Sequence, residues 1–226
     1  MKRLIVLAGV VVTLSCWAVA ASWAAAVETE LREFNIEVDG KPAGQYTMKI
    51  TKQDDGVLSM KADADIKFKY LFGTSTYTYS YDGVEHWKSG RLLQLSSKCD
   101  DDGTKMQVSA VAAAETLQVT VNGKQRNCRW DVVTTSYWMT PDPRYHDAAV
   151  PLLDADTGKE YVGQLKKIGV EAVQVGGQQQ NCYHFRVTGG PTTPVDLWYD
   201  GQNRLVKQEF TEQGKHVVFV LRAVRR

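Results

Sequence analysis

Between residues 57 and 72 the chain reads VLSMKADADIKFKYLF: Leu58, Met60, Ala62, Ala64, Ile66, Phe68, Tyr70 and Phe72 alternate with Ser59, Lys61, Asp63, Asp65, Lys67 and Lys69. A period of two belongs to a strand with one dry and one wet face, because successive side chains leave a strand on opposite sides. The run is much longer than the typical strand of about five or six residues, so it must twist or bend. The small pair Ala62 and Ala64 leaves room at its middle. The expectation is a curved sheet with space over its apolar face.

The rest of the chain repeats this grammar. Phe34, Ile36 and Val38 alternate with Asn35 and Glu37, Asp39-Gly40 turns the chain, and Tyr46, Met48 and Ile50 alternate on the return. Asp-Gly between two such runs is a hairpin signal. Further turns are expected at Asp54 to Gly56, Asp82-Gly83, Ser89-Gly90, Asp100 to Gly103, Asn122-Gly123, Gly176-Gly177, Asp200 to Asn203 and Gln213-Gly214. Turns recurring about every eight to twelve residues predict an all-β sandwich or barrel. Between Gly83 and Gly90 this reading places a separate strand, and it splits 161–168 from 170–175. Residues 134–158 carry Pro141, Pro143 and Pro151 and no sustained period. They read as an irregular crossover between sheet edges in preference to a lid, with one short helical turn over 147–153. The last strand, 216–224, is apolar on both faces at 217–221, which predicts a central or doubly covered position.

Lys2 and Arg3 precede an apolar run to about Ala21 and the small triplet Ala24, Ala25 and Ala26. This pattern predicts a secretory signal over residues 1–26, with residues 27–226 forming a single all-β domain in the periplasm or outside the cell. Cys16 raises a lipoprotein alternative, disfavoured because Leu14 sits one place too close for a good lipobox. Removing the leader takes away two of 27 basic residues and none of the 26 acidic ones, leaving a net charge of −1 and no transmembrane anchor. Such a balance gives no electrostatic footprint for nucleic acid. Cys99, Cys128 and Cys182 remain, and in an oxidising compartment one bridge plus one leftover thiol is expected, with the pairing open. They are too far apart in sequence for metal-ligand spacing.

Catalytic signatures such as G-x-S-x-G, H-E-x-x-H, a Walker loop or a G-x-G-x-x-G turn do not occur in the sequence,. No cofactor is expected. His86, His146, His184 and His216 are scattered, and Glu85 and His86 must point to opposite faces of a strand. The sharpest enzymatic alternative, His86 or His146 acting near Asp100 to Asp102, lacks any sign of hydrogen-bond reach. Instead, a curved sheet lined by Met60, Ile66, Phe68 and Tyr70, with Trp87 and Trp138 nearby, is suited to an apolar ligand. The aromatic residues, including the Tyr77, Tyr79 and Tyr81 row, are equally ordinary strand packing.

The stretches FNIEVDGKPAG (34–44), EHWKSGRL (85–92), TSYW (135–138), DTG (156–158) and LWYDGQNRLVK (197–207) resemble a family of uncharacterised exported bacterial proteins. That family is distantly similar to the periplasmic lipoprotein carriers, in which a strongly curved antiparallel sheet holds acyl chains on its concave side beneath helices. The resemblance implies a half-barrel, barrel or sandwich with little helix, and it transfers no catalytic residues. Two functions are therefore expected: a non-enzymatic periplasmic protein that binds a lipid or other hydrophobic molecule, or an envelope scaffold whose self-filled core leaves its surface to a protein partner. The state of the dry face of 57–72 discriminates between them.

Overall fold

A computed structural model describes residues 28–70, 75–192 and 194–226. The expected leader, with Cys16, and the end of the alternating run at residues 71–72 lie outside the described residues. Fifteen strands form one sheet: β1 (Glu28–Val38), β2 (Lys41–Lys52), β3 (Leu58–Tyr70), β4 (Ser75–Lys88), β5 (Arg91–Asp101), β6 (Thr104–Ala112), β7 (Thr116–Val121), β8 (Lys124–Arg129), β9 (Val133–Thr134), β10 (Ala148–Leu153), β11 (Glu160–Val175), β12 (Gln178–Thr188), β13 (Val195–Tyr199), β14 (Leu205–Glu212) and β15 (Lys215–Arg225). The only described helical element is a single 3-10 turn at Pro143–Tyr145. The order across the sheet is β8 to β1, then β15 down to β9, so β8 and β9 are its edges. Neighbours run antiparallel except β9 and β10, which pair in parallel at Val133–Leu152 and Thr134–Leu153. The first and last strands meet in the middle of the sheet, where Phe34 lies opposite Leu221 and Ile36 opposite Phe219.

Local chemistry accounts for most of the connections. Six hairpins turn on two residues that both have positive φ: Asp39-Gly40, Ser89-Gly90, Asp102-Gly103, Asn122-Gly123, Gly176-Gly177 and Gln213-Gly214. This is the hairpin turn whose twist matches that of the flanking strands, and Gly takes its second position without steric penalty. Three expectations are corrected. Asp82-Gly83 does not turn; β4 runs straight through it, and Gly83 sits between Ala62 and Ser97. Glycine is needed there because a Cβ would lie 2.2 Å from the Tyr81 hydroxyl, which folds back over the strand. Residues 161–175 form one strand, since Gly169 marks a register shift within β11. Residues 148–153 are the strand β10, with no helical turn. Pro151 is tolerated there because β9 covers only Leu152 and Leu153 of that side,.

Strands far apart in the order touch through side chains, which shows how strongly the sheet curls. Tyr79 of β4 reaches Asp156 at 2.8 Å. Ser97 of β5 donates to the Ala155 carbonyl at 2.5 Å. Arg126 of edge strand β8 meets Glu160 of β11 at 2.6 Å and also donates to the Gly158 carbonyl. The ladder itself is not closed, because β8 and β9 share no pairing; this side-chain seam brings the two ends together. The core lies on the inside of the curl. Phe34, Met48, Met60 and Leu95 from the first half and Leu152, Phe185 and Tyr199 from the second are fully buried. β15 lies between β1 and β14, as its two-faced apolar pattern requires.

Candidate functional site

The inside of the curl is occupied by the chain's own crossover. Thr134 donates its hydroxyl to Glu85 Oε2 at 3.0 Å, and the indoles of Trp138 and Trp87 reach the same oxygen at 3.1 and 2.7 Å. Glu85 is 0 % exposed, and its Oε1 has no hydrogen-bond partner. Burial pushes this carboxyl up, opposed by the donors from Trp87, Ser136, Thr134 and Trp138. The crossover is pinned from two further strands. Arg32 of β1, itself buried, donates to the Trp138 carbonyl at 2.7 Å, and Tyr199 of β13 donates to the Tyr137 carbonyl at 2.8 Å. Tyr137 is buried with a φ of +46°, a strained conformation held in place by these contacts,.

The six residues expected to line a ligand site divide into two groups. Met60, Trp87 and Trp138 surround Glu85: Met60 stands directly opposite it on β3, and both indoles donate to it. Their exposures of 0, 4 and 3 % leave no access from solvent. Ile66, Phe68 and Tyr70 form a half-exposed rim at the other end of β3. Phe68 packs on Tyr77 with ring centroids 5.0 Å apart and on Tyr70 at 6.5 Å. Tyr77 donates to Asp101 at 2.6 Å. A groove of about 380 Å³ opens beside this rim, lined by Ala43, Gly44, Ile66 and Tyr79 with Asp65 and Asp100.

Ala62 and Ala64 do not make room for a guest. Ala64 is flanked by Tyr46 on β2 and Tyr81 on β4, and Ala62 by Met48 and Gly83. Both alanines are buried, at 0 and 5 % exposure, so the space over them is closed by the protein itself. The expectation of one disulfide is also corrected. Cys99, Cys128 and Cys182 are all buried free thiols. Their strand partners are Tyr81 and Met106, Leu117, and Glu171 respectively, so no two cysteines face each other across a ladder. Burial pushes the Cys99 and Cys128 thiols up to about 12 and that of Cys182 to about 11.

Sequence reasoning missed two constellations because strand pairing assembles them. The sequence presents Glu85 only as an acid pointing to the opposite face from His86, without its partners Thr134 and Trp138. His184 of β12 lies between Glu171 Oε1 at 2.8 Å and Asp196 Oδ1 at 2.7 Å, stacked on Trp198 with centroids 4.4 Å apart. Lys207 covers the Trp198 ring, and Arg186 grips Asp196 in a two-pronged ion pair. The alternation of β12 marks His184 as lying opposite Phe185, but only the register identifies its acidic partners. His146 instead sits 3.2 Å from the Pro141 carbonyl and against Phe185. Among the described residues, no group of three His, Cys, Asp or Glu side chains could hold a metal ion.

The architecture defines a class: a barrel-like antiparallel meander whose ladder stays open and whose interior is plugged by its own crossover. Residues 34–222 match the family described as domain of unknown function DUF6134, and the chain belongs to it. Among solved structures it is similar to the β-barrel-like protein of domain of unknown function DUF1849 from Brucella abortus. The TM-score is 0.64 at 6 % identity, covering 87 % of this chain and 96 % of that one. At that identity the similarity concerns fold alone. No curated protein matches the chain.

Proposed function

We propose that the protein is an exported, non-enzymatic interaction module of the cell envelope with a self-filled core. The observation that carries this reading is the occupation of the concave side by the segments either side of β10, which bond to Glu85, Arg32, Tyr199, Tyr79 and Ser97. A carrier needs that space for its cargo. Export is supported by the leader-like residues 1–26. A catalytic role for His184 is disfavoured because both ring nitrogens are engaged by carboxylates, leaving none to take a proton from a substrate. The surface offers an exposed apolar pair on β11 and β12, where Val170 lies opposite Tyr183 at 58 and 41 % exposure; such a pair suits contact with a protein partner. A photocrosslinker at Val170 in cells should give one discrete adduct, and protein purified from the same cells should carry no stoichiometric lipid on extraction and mass spectrometry. Stoichiometric lipid with no adduct would reverse the assignment.

A second reading rests on the half-exposed rim of Ile66, Phe68 and Tyr70 with Tyr77. In it, a hydrophobic molecule sits at the open end of the sheet instead of inside it. Quenching of tyrosine fluorescence by a brominated fatty acid, lost in Phe68→Asp but retained in Met60→Leu, is the outcome this reading requires.

A further inference from the structure

Residues 135–147 and 154–158 flank β10, which is itself paired into the sheet; the flanks meet where the Ala155 amide donates to Thr135 Oγ1, and each is tied to the sheet at a carboxyl group. Glu85 anchors the first flank. At the second flank, Asp154 accepts from Thr135 Oγ1 at 3.2 Å, from Thr157 Oγ1 at 2.5 Å and from the Asp156 amide at 3.2 Å. Asp156 has one such partner among the described residues, the Tyr79 hydroxyl at 2.8 Å. Although Asp156 as a residue keeps some exposure, its carboxyl group lies in a dense surround. The groups facing it are Tyr46 on β2, Tyr79 and Tyr81 on β4, Cys99 and Asp101 on β5, and Asp154 on its own turn. All are neutral or acidic. A negative charge on Asp156 would therefore stand beside Asp154 with no cation to offset it, at the point where the Ala155 carbonyl is fastened to Ser97.

We propose that the two flanks of β10, residues 135–147 and 154–158, are a strap seated against the sheet by the proton on Asp156, firmly closed while that carboxyl is neutral and loosened when it ionises. Burial, followed by the Asp154 charge, pushes the carboxyl up to about 7. The closed strap thus holds a proton that an opened strap releases. Closure is strongest in acid, weakens by up to about tenfold per pH unit as the pH climbs from the ordinary carboxylate range, and levels off near neutrality. Opening would uncover Met60 and Trp87 and draw Trp138, a residue of the strap, out of the interior. The strap thereby links the acidity of the compartment to access to the apolar interior. This holds whichever partner the module meets, so its failure would leave the crosslinking result untouched.

Amide hydrogen exchange on the full-length protein between pH 5 and 8, corrected for the intrinsic pH dependence of exchange, tests the strap directly. Protection over residues 135–147 and 154–158, measured against β1 and β2, is expected to fall more than tenfold, mostly below pH 7, in the wild type and to stay level in Asp156→Asn. A level wild-type profile, or an Asp156→Asn profile that falls as the wild type does, overturns the proposal. Should Asp156→Asn fail to fold, Tyr79→Phe takes its place. Removing a hydroxyl that favours the ionised carboxyl moves the fall to higher pH, and an unmoved profile counts against the strap.

Discussion

At the scale of single residues, Glu85 shows how a polar side chain becomes the centre of an apolar interior. One oxygen collects a threonine hydroxyl and two indoles, joining β4 to the crossover, while the other oxygen is unpartnered. Removing the acceptor strands several buried donors at once. Glu85→Ala is expected to lower the unfolding free energy by about 3 kcal/mol or more, whereas Glu85→Gln, which retains an acceptor oxygen, should lose about 1 kcal/mol, measured by denaturant titration. An equal loss in both would mean that Glu85 acts only by filling space. The alternation of β4 put Glu85 on the dry face with Tyr81 and Trp87, a signal present in the sequence. Its partners were not legible, because Thr134 and Trp138 lie 49 and 53 positions away. Residues expected to act together, such as Met60 and Phe68, proved to serve different surroundings of one strand.

At the scale of elements, β3 does two jobs along one dry face. Its start is sealed by neighbours and the crossover, while its end, with Ile66, Phe68 and Tyr70, remains half-exposed. The alternation predicted a continuous apolar face, and the strand has one; it could not reveal where the covering stops. Ala64, between Tyr46 and Tyr81, provides a test. Ala64→Leu should destabilise by about 1–3 kcal/mol through overpacking, with a smaller loss for Phe68→Ala at the open rim. Equal tolerance at both positions in thermal melts would show that β3 overlies free space after all. The segment 134–158 leads from β9 into its parallel neighbour β10, while residues 130–132 alone carry the chain from edge β8 to edge β9. Its strand β10 escaped notice because Pro151 and the adjacent Leu152 and Leu153 break a period of two.

At the scale of the whole molecule, the two halves of the meander are joined by β1 and β15, the first and last described strands, with Arg126 and Glu160 stitching the seam opposite. A pairing between residues so distant in sequence forms only after a large loss of chain entropy, which makes folding slow and cooperative. Deleting residues 215–226 should therefore abolish the folded state of both halves, leaving β1 and β14 as bare edges, and the intact chain should unfold in a single transition by circular dichroism. A truncated protein that retains a folded half would show that the halves are independent. The sequence by itself determined the strands, because side-chain alternation is a local consequence of the pleat, and most of the hairpins, because paired positive φ angles demand residues such as Asp-Gly and Asn-Gly. Tertiary structure alone decided what lies inside the curl. Whether Ala62 and Ala64 border a guest or a sealed core, and whether Glu85 faces water or two indoles, depends on register and curvature, which are set by contacts between residues that no local pattern brings together.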